Sequence, residues 1–330
     1  MSRLDGSHQR SGLVYAGLCA ASGAFVPAVA RLTTDRADPI LVAAITTVFA
    51  GLAGALVLLA RGQFGQLVER RTVGWLIVIA ALGTVTTNLL FFIGTSRTSA
   101  IDAVLCLQVE PIYSLLLAWL VLGHRLSVRR VASAAILLAG ILIAIGEARA
   151  ETDFFGLAIL MATPLAWQVS HLVVLGRLTT VEPEVLTGAR YVWGGILLAP
   201  VAAVLLLVTG GESGLPDVET LLSNWPVLAV QGVVLNYAGT MLWYQAITRL
   251  DLARATSIVV PSIPLMSLAA SFLIVGEVPT GRQIAGMLIT ALGVLSFVLS
   301  PHAIERRERP PSATAPLGAP TDEASDSDAA

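Results

Sequence analysis

Ten apolar runs of about 20 residues, separated by short polar segments, form the pattern of hydrophobic and polar positions along the chain. They lie near residues 12–30, 39–60, 73–95, 99–121, 129–146, 154–176, 184–208, 225–248, 252–274 and 281–300. A helix of about 20 apolar residues is long enough to cross a bilayer. The pattern therefore predicts an all-α integral membrane protein with ten transmembrane helices.

An internal repeat divides these runs into two sets of five. Residues 98–145 recur as 251–298 after a shift of 153 positions, with a proline inside an apolar run and later glycines preserved. The aligned pairs include Pro111 and Pro264, Gly123 and Gly276, and Gly140 and Gly293. The repeat predicts five-helix halves at 12–146 and 154–300. Because five is odd, the second half must enter the membrane from the opposite side, which makes an inverted repeat.

The two ends of the chain differ from the apolar body. Residues 1–11 are polar and predict a short cytoplasmic segment before the first helix. Residues 301–330 are rich in proline, alanine, serine and acidic residues and have no apolar periodicity, which predicts a disordered cytoplasmic tail. The first run could suggest a signal peptide, but it is long and no small-residue cleavage site precedes a soluble domain.

The arginines predict the orientation of the helices. With the amino terminus in the cytoplasm, the inner segments carry 14 arginines and the outer loops carry 5, while Arg190 remains inside the seventh run. Short cytoplasmic loops of membrane proteins are enriched in basic residues. The distribution therefore predicts a multi-pass protein with both termini in the cytoplasm.

Composition excludes several classes of protein. Hydrophobic residues make up 55% and charged residues 13% of the chain, whereas soluble domains carry about 25% charged residues. All 20 basic residues are arginines, so the chain has neither a Walker A lysine nor a lysine for a Schiff base. It also lacks HExxH, GxSxG and CxxC motifs. We expect membrane lipid around it, but no cofactor, metal or nucleic acid, and no enzymatic activity.

Glu110 is the most informative single residue. It lies midway along the fourth run, directly before Pro111, and its aligned partner in the second half is the neutral Ile263. A charged side chain at the bilayer centre costs about 2.5–3.5 kcal/mol, so such residues usually face a cavity and have a function. We predict that Glu110 binds and releases protons; a carboxyl that only packs against a neighbouring helix is the alternative.

Other polar and aromatic residues interrupt the apolar runs. Gln168 and His171 share one face of the sixth run, and Asn88 lies in the third. In the eighth run, polar and aromatic residues recur at spacings of three and four, at Asn236, Tyr237, Thr240 and Tyr244, with Trp243 beside them. Such a stripe either lines a pocket or holds helices together. Arg190 could extend to the cytoplasmic surface, bind an anion or pair with an internal carboxylate.

Two segments carry a resemblance to a known family. The sequences QVEPIYSLLLAWLVLGHRLS (108–127) and PSIPLMSLAASFLIVGEVPTGRQIAGMLITALGVL (261–295) resemble the paired signature of the EamA-like branch of the drug/metabolite transporter superfamily. The resemblance covers residues 12–300. It implies ten helices around a central cavity and alternating access for small metabolites, often amino acid export. Gly276-Glu277 keeps the usual turn of the family, whereas Gly123-His124 departs from it.

Together these observations predict a secondary transporter of the plasma membrane that exports amino acids or related amines and drugs, either coupled to protons or by facilitated export. The predicted substrate-binding residues are Glu110, Asn88, Gln168, His171, Asn236, Tyr237 and Trp243. Glu110 is also the predicted coupling residue, and the helix-bending prolines Pro111, Pro261 and Pro264 are the predicted gating residues. The alternatives are an importer of the same fold, or a membrane enzyme or scaffold that uses the helices as an anchor.

Overall fold

The computed structural model describes residues 6–121, 123, 126–145, 153–209, 218–250 and 252–300. The predicted tail at 301–330 and residues 1–5 lie outside this part of the chain, as does His124.

The described part of the chain contains ten helices that are long and apolar enough to cross a membrane, as predicted. They are α1 (Gly6–Thr34), α2 (Pro39–Ala60), α3 (Val73–Ser96), α4 (Ala100–Leu120), α5 (Val128–Ile145), α6 (Phe154–Arg177), α7 (Pro183–Thr209), α8 (Val218–Ala229, continued to Arg249), α9 (Leu252–Val275) and α10 (Gly281–Val298). Most bounds agree with the apolar runs to within a few residues. The first helix is longer than its run at both ends.

Three of these helices depart from regular α geometry. Helix α3 contains a π-helical segment at Ala81–Thr86, and α8 contains one at Val230–Ala238. Helix α4 consists of two parts, Ala100–Leu107 and Glu110–Leu120. Pro111 explains the interruption, because it has no N–H to donate to the carbonyl of Leu107 one turn earlier.

The proline pair in the second half does not interrupt its helix. Helix α9 runs from Leu252 to Val275 through Pro261 and Pro264. Helix α4 is thus interrupted at its proline, whereas α9 stays continuous through its pair. Their role as gating residues stays a prediction.

Helix pairs that join the two predicted halves make the most extensive contacts. Helix α1 packs against α9, α2 against α7, and α5 against α10. In the α5–α10 pair the aligned glycines of the repeat lie at the contact: a Cβ atom on Gly140 would lie 2.5 Å from the backbone nitrogen of Thr290, and one on Gly293 would lie 2.6 Å from that of Leu137. Small residues thus let the two backbones approach closely. The inverted relation of the halves stays a prediction.

We expect Gly140→Ala to lower the apparent melting temperature of the purified protein in detergent. The added methyl group has no room beside the Thr290 backbone, and overpacking of this kind costs about 1–3 kcal/mol. Gly17→Ala is the matched control, since a Cβ atom there meets nothing within 4 Å and alanine favours a helix over glycine. A Gly140→Ala variant as stable as the control would show that α5 and α10 are not packed as described.

Candidate functional site

A cavity of about 380 Å³ lies between the two predicted halves. Its walls come from α1, α3, α4, α6, α7, α8 and α9. Aromatic side chains make up much of the surface, and a few polar side chains interrupt it: Asn88, Thr187, His171, Arg190, Asn236 and Thr240. An apolar, aromatic surface with a few placed polar groups is typical of a site for a small molecule, and the volume is in the usual range.

The two π-helical segments supply polar backbone groups to this cavity. Gly83, in the segment of α3, and Asn236, in the segment of α8, both line it. The carbonyl of Gly83 accepts a hydrogen bond from Nη2 of Arg190 at 2.7 Å. The carbonyl of Asn236 accepts from Oγ1 of Thr240 at 2.8 Å and from Oη of Tyr191 at 3.2 Å. Single π turns in helices are often found at functional sites for this reason.

Arg190 lies in the wall of the cavity rather than at the membrane surface. Of the alternatives that the sequence leaves open, extension of its side chain to the surface is therefore wrong. In the described part of the chain, no carboxylate lies within salt-bridge distance of its guanidinium. His171 is near enough to interact with it electrostatically. The cavity thus carries a positive charge without a neighbouring acid in its wall.

The structure places four of the seven predicted substrate-binding residues in the cavity wall: Asn88, His171, Asn236 and Trp243. Asn88 is fixed there by a 2.7 Å hydrogen bond from Nδ2 to Oγ1 of Thr47, a buried residue of α2. The remaining three predicted residues, Glu110, Gln168 and Tyr237, do not line it.

Glu110 and Gln168 contact each other behind the wall. Nε2 of Gln168 donates to Oε1 of Glu110 at 2.8 Å, which joins the second part of α4 to α6. Leu107, one turn before Glu110, and Trp167, next to Gln168, both line the cavity. In this conformation Glu110 therefore makes the helix-packing contact that the sequence leaves open as an alternative, and its functional role stays a prediction.

Tyr237 and the prolines also lie outside the wall. Tyr237 is buried, and its ring packs edge-on against Tyr191 with the ring centroids 6.1 Å apart. Among the predicted gating residues, neither Pro111, Pro261 nor Pro264 lines the cavity, although Ile263 between the last two does.

Helix α7 contributes two residues that the sequence analysis missed, Thr187 and Tyr191, beside Arg190, which it names. Thr187, Arg190 and Tyr191 all line the cavity from this helix. Their spacing of three and four is the same signal that singles out the stripe in α8. The sequence analysis treated Arg190 as a single residue and did not include its neighbours at this spacing.

A second pocket of about 370 Å³ lies at the ends of α7 and α8, and Tyr244 lines both this pocket and the cavity. Arg249 is at the same end of the molecule. At the opposite end, side chains link neighbouring helices: Nη1 of Arg31 donates to the Ser96 carbonyl at 2.8 Å, and Oε1 of Glu277 accepts from the Ala100 amide at 2.9 Å. Side chains also link helices at the end with the second pocket, where Arg61 pairs with Glu184 at 3.4 Å and Nε2 of Gln63 donates to Oε2 of Glu182 at 2.6 Å.

A model of the EamA-like transporter family matches residues 10–146 and 154–299, which is most of the chain. The chain belongs to the EamA-like transporter family. It is thus a multi-pass membrane transporter that takes a small-molecule substrate, as the resemblance implies.

Curated relatives of this EamA-like protein are also named as transporters. An "Uncharacterized transporter" of Archaeoglobus fulgidus is 22% identical over 79% of this chain and 89% of its own length. "Uncharacterized transporter YyaM" of Bacillus subtilis is 24% identical over 67% of this chain and 71% of its own length. A "Probable terminal-alkyne amino-acid exporter" of Streptantibioticus cattleyicolor is 26% identical over 61% of this chain and 65% of its own length.

A solved crystal structure has a similar fold. It matches 88% of this EamA-like chain and 97% of its own chain with a TM-score of 0.61 and 20% identity. This likeness supports the arrangement of the helices and carries no information on substrate.

The two cysteines of this EamA-like protein test whether the cavity admits water. Cys19 lines the cavity, whereas the side chain of Cys106 is 0% exposed in α4. We expect N-ethylmaleimide to modify the native, detergent-purified protein at Cys19 only, measured as one added label by intact mass. Cys19→Ala should then take up no label until it is unfolded, and Cys106→Ala should label like the wild type. Native labelling of Cys106 in preference to Cys19 would contradict the described cavity.

Proposed function

We propose that this protein is a secondary transporter that exports amino acids or related small metabolites across the plasma membrane by alternating access. The observation that carries the proposal is the polar and aromatic cavity, which both predicted halves line in a chain of a transporter family. The Streptantibioticus cattleyicolor relative is named as an amino-acid exporter, which supports both the direction and the substrate class. The halves, 12–146 and 154–300, are the units that would move against each other as an inverted repeat.

The conformation fits an inward-facing state of this cycle. If both termini are cytoplasmic, as the arginines predict, then the second pocket and Arg249 face the cytoplasm. The contacts of Arg31 with Ser96 and of Glu277 with Ala100 then lie on the outer side. These contacts would have to separate when the transporter opens outward.

The contact between Glu110 and Gln168 suggests how protons couple to this motion. An ionised carboxylate accepts a stronger hydrogen bond than a neutral carboxyl, so proton binding would weaken the link between α4 and α6. Because α4 is interrupted directly before Glu110, its second part (Glu110–Leu120) can change position relative to Ala100–Leu107. Protonation of Glu110 would then change the balance between the inward-facing and outward-facing states. Proton coupling requires such a difference between the two states.

Substrate in this scheme contacts Asn88, His171, Asn236 and Trp243 in the inward-facing cavity. Glu110 and Gln168 would reach the substrate when the second part of α4 moves and the wall formed by Leu107 and Trp167 opens. Tyr237 supports the wall through its contact with Tyr191.

The function is tested with purified protein in liposomes that contain a pH-sensitive dye, challenged with amino acids, amines and drugs. We expect amino acids to evoke proton movement and labelled-substrate exchange. A scaffold or an enzyme would give neither, and turnover of a substrate without transport would contradict the proposal.

Glu110→Gln tests the coupling role in the same liposomes. We expect this variant to insert and fold like the wild type, to retain substrate exchange, and to lose the dependence of flux on a pH gradient, because glutamine cannot take up the proton. Glu69→Gln is the matched control, since Glu69 is exposed in the segment between α2 and α3 and should leave flux unchanged. Wild-type proton-coupled flux in Glu110→Gln would rule out this assignment.

A further inference from the structure

We propose that the cavity selects substrates that carry a carboxylate, which binds to the guanidinium of Arg190, and an apolar or aromatic body, which packs against the aromatic walls. This inference rests on the proposed function and specifies its substrate.

The charge of the cavity lacks a counter-charge from the protein. Arg190 lines it, and no aspartate or glutamate of the described residues does. The acidic side chains nearest to its walls have other partners, since Glu110 accepts from Gln168 at 2.8 Å and Glu184 pairs with Arg61 at 3.4 Å. A charge inside a membrane-spanning bundle is costly and is usually kept for a function. An anionic group on the substrate would supply the missing partner.

The backbone of α3 positions the guanidinium for this role. Nη2 of Arg190 donates a hydrogen bond to the Gly83 carbonyl at 2.7 Å. This bond uses one of the five N–H donors of the guanidinium. A Cβ atom on Gly83 would lie 2.6 Å from Nη2 of Arg190 and 2.4 Å from Oγ of Ser170, so only glycine admits both side chains here. The Ser170 hydroxyl is itself fully buried and has no hydrogen-bond partner in the described structure.

A planar guanidinium suits a carboxylate, because two parallel N–H donors can bind its two oxygens. A single Lys ammonium would recognise any anion as a point charge, whereas the arginine adds this geometric preference. The guanidinium therefore favours a carboxylate over an uncharged group, and its fork also fits the oxygens of a phosphonate.

The remaining walls fit the rest of such a molecule. Aromatic rings of Phe91, Trp167, Trp243 and Tyr244 provide apolar surface, and the side-chain amides of Asn88 and Asn236 can accept hydrogen bonds from an amino group. An amine without a carboxylate would place its ammonium group in the same cavity as the Arg190 guanidinium. No acidic side chain of the described cavity wall would balance these two positive charges. The cavity is thus suited to amino acids and aryl carboxylates, and it disfavours amines that have no carboxylate.

Matched ligands test this inference by direct binding to the purified protein, read as quenching of tryptophan fluorescence, since Trp167 and Trp243 line the cavity. The set is phenylalanine, phenylalaninamide, phenethylamine, 3-phenylpropanoate and phenylphosphonate. We expect phenylalanine and 3-phenylpropanoate to bind at least about tenfold more tightly than the amide and the amine, as expected for loss of a hydrogen-bonded charge pair. Phenylphosphonate should also bind more tightly than the amide and the amine, because the guanidinium fork fits its oxygens too.

Variants of the site connect this preference to Arg190. We expect Arg190→Gln to bind the carboxylates no better than the amide, and Arg190→Lys to retain part of the preference. Gly83→Ala should also reduce it, because the methyl group displaces the guanidinium, and this variant tests the inference if Arg190→Gln does not fold. Arg70→Gln, at an exposed arginine between α2 and α3, should behave like the wild type.

The outcomes separate this inference from the proposed function. Three results would overturn the inference, even if the liposomes show transport of other compounds. The amine or the amide could bind as tightly as the carboxylates or more tightly, or none of the carboxylates could bind. Carboxylate binding could also persist in both Arg190→Gln and Gly83→Ala. Carboxylate binding that depends on Arg190, without any flux in the liposomes, would support the inference and contradict the proposed function.

Discussion

Every backbone N–H and carbonyl group inside a bilayer must find its partner within the protein, and this requirement determines where the site can lie. Three places in the described spanning helices leave the α-helical pattern: the π-helical segments Ala81–Thr86 and Val230–Ala238, and the interruption between Leu107 and Glu110. Each place has residues in the cavity wall or directly beside it. Irregular backbone is tolerated there because side chains such as Arg190 and Tyr191 satisfy the exposed carbonyls. The irregular backbone of these helices thus lies where the cavity lies.

Close packing of small residues limits which elements can move. The contact of α5 with α10 at Gly140 and Gly293 leaves no room for a Cβ atom, so these helices form a tight pair. The second part of α4 (Glu110–Leu120) is different, because it packs mainly against α6 and has many exposed apolar side chains. A segment with few contacts that begins at an interruption is the natural candidate for motion. The proton site proposed at Glu110 lies at the start of this segment.

The fold could be predicted from the sequence almost completely, whereas the site could be predicted only in part. Helix positions depend on the length of each apolar run, so the ten runs predict the ten helices with small errors at the ends.

Asn88 and Trp243 were found because polar and aromatic residues stand out in apolar runs. Tyr237 was misplaced because a π-helical segment changes the angular register, so that Asn236, Thr240 and Tyr244 line the cavity and Tyr237 does not. Arg190 was undervalued because its partner, the Gly83 carbonyl, belongs to the other half.

The separation of the two charged side chains has a consequence for transport. A carboxylate in the cavity wall would pair with Arg190 and would leave no charge for a substrate, but Glu110 is held behind the wall by Gln168. An empty cavity that closes must then enclose an unbalanced guanidinium in a low dielectric, which is unfavourable. A bound carboxylate would remove this penalty, so the loaded transporter would change state more readily than the empty one. The position of Arg190 thereby offers a physical reason why the movement of the helices would depend on the presence of substrate.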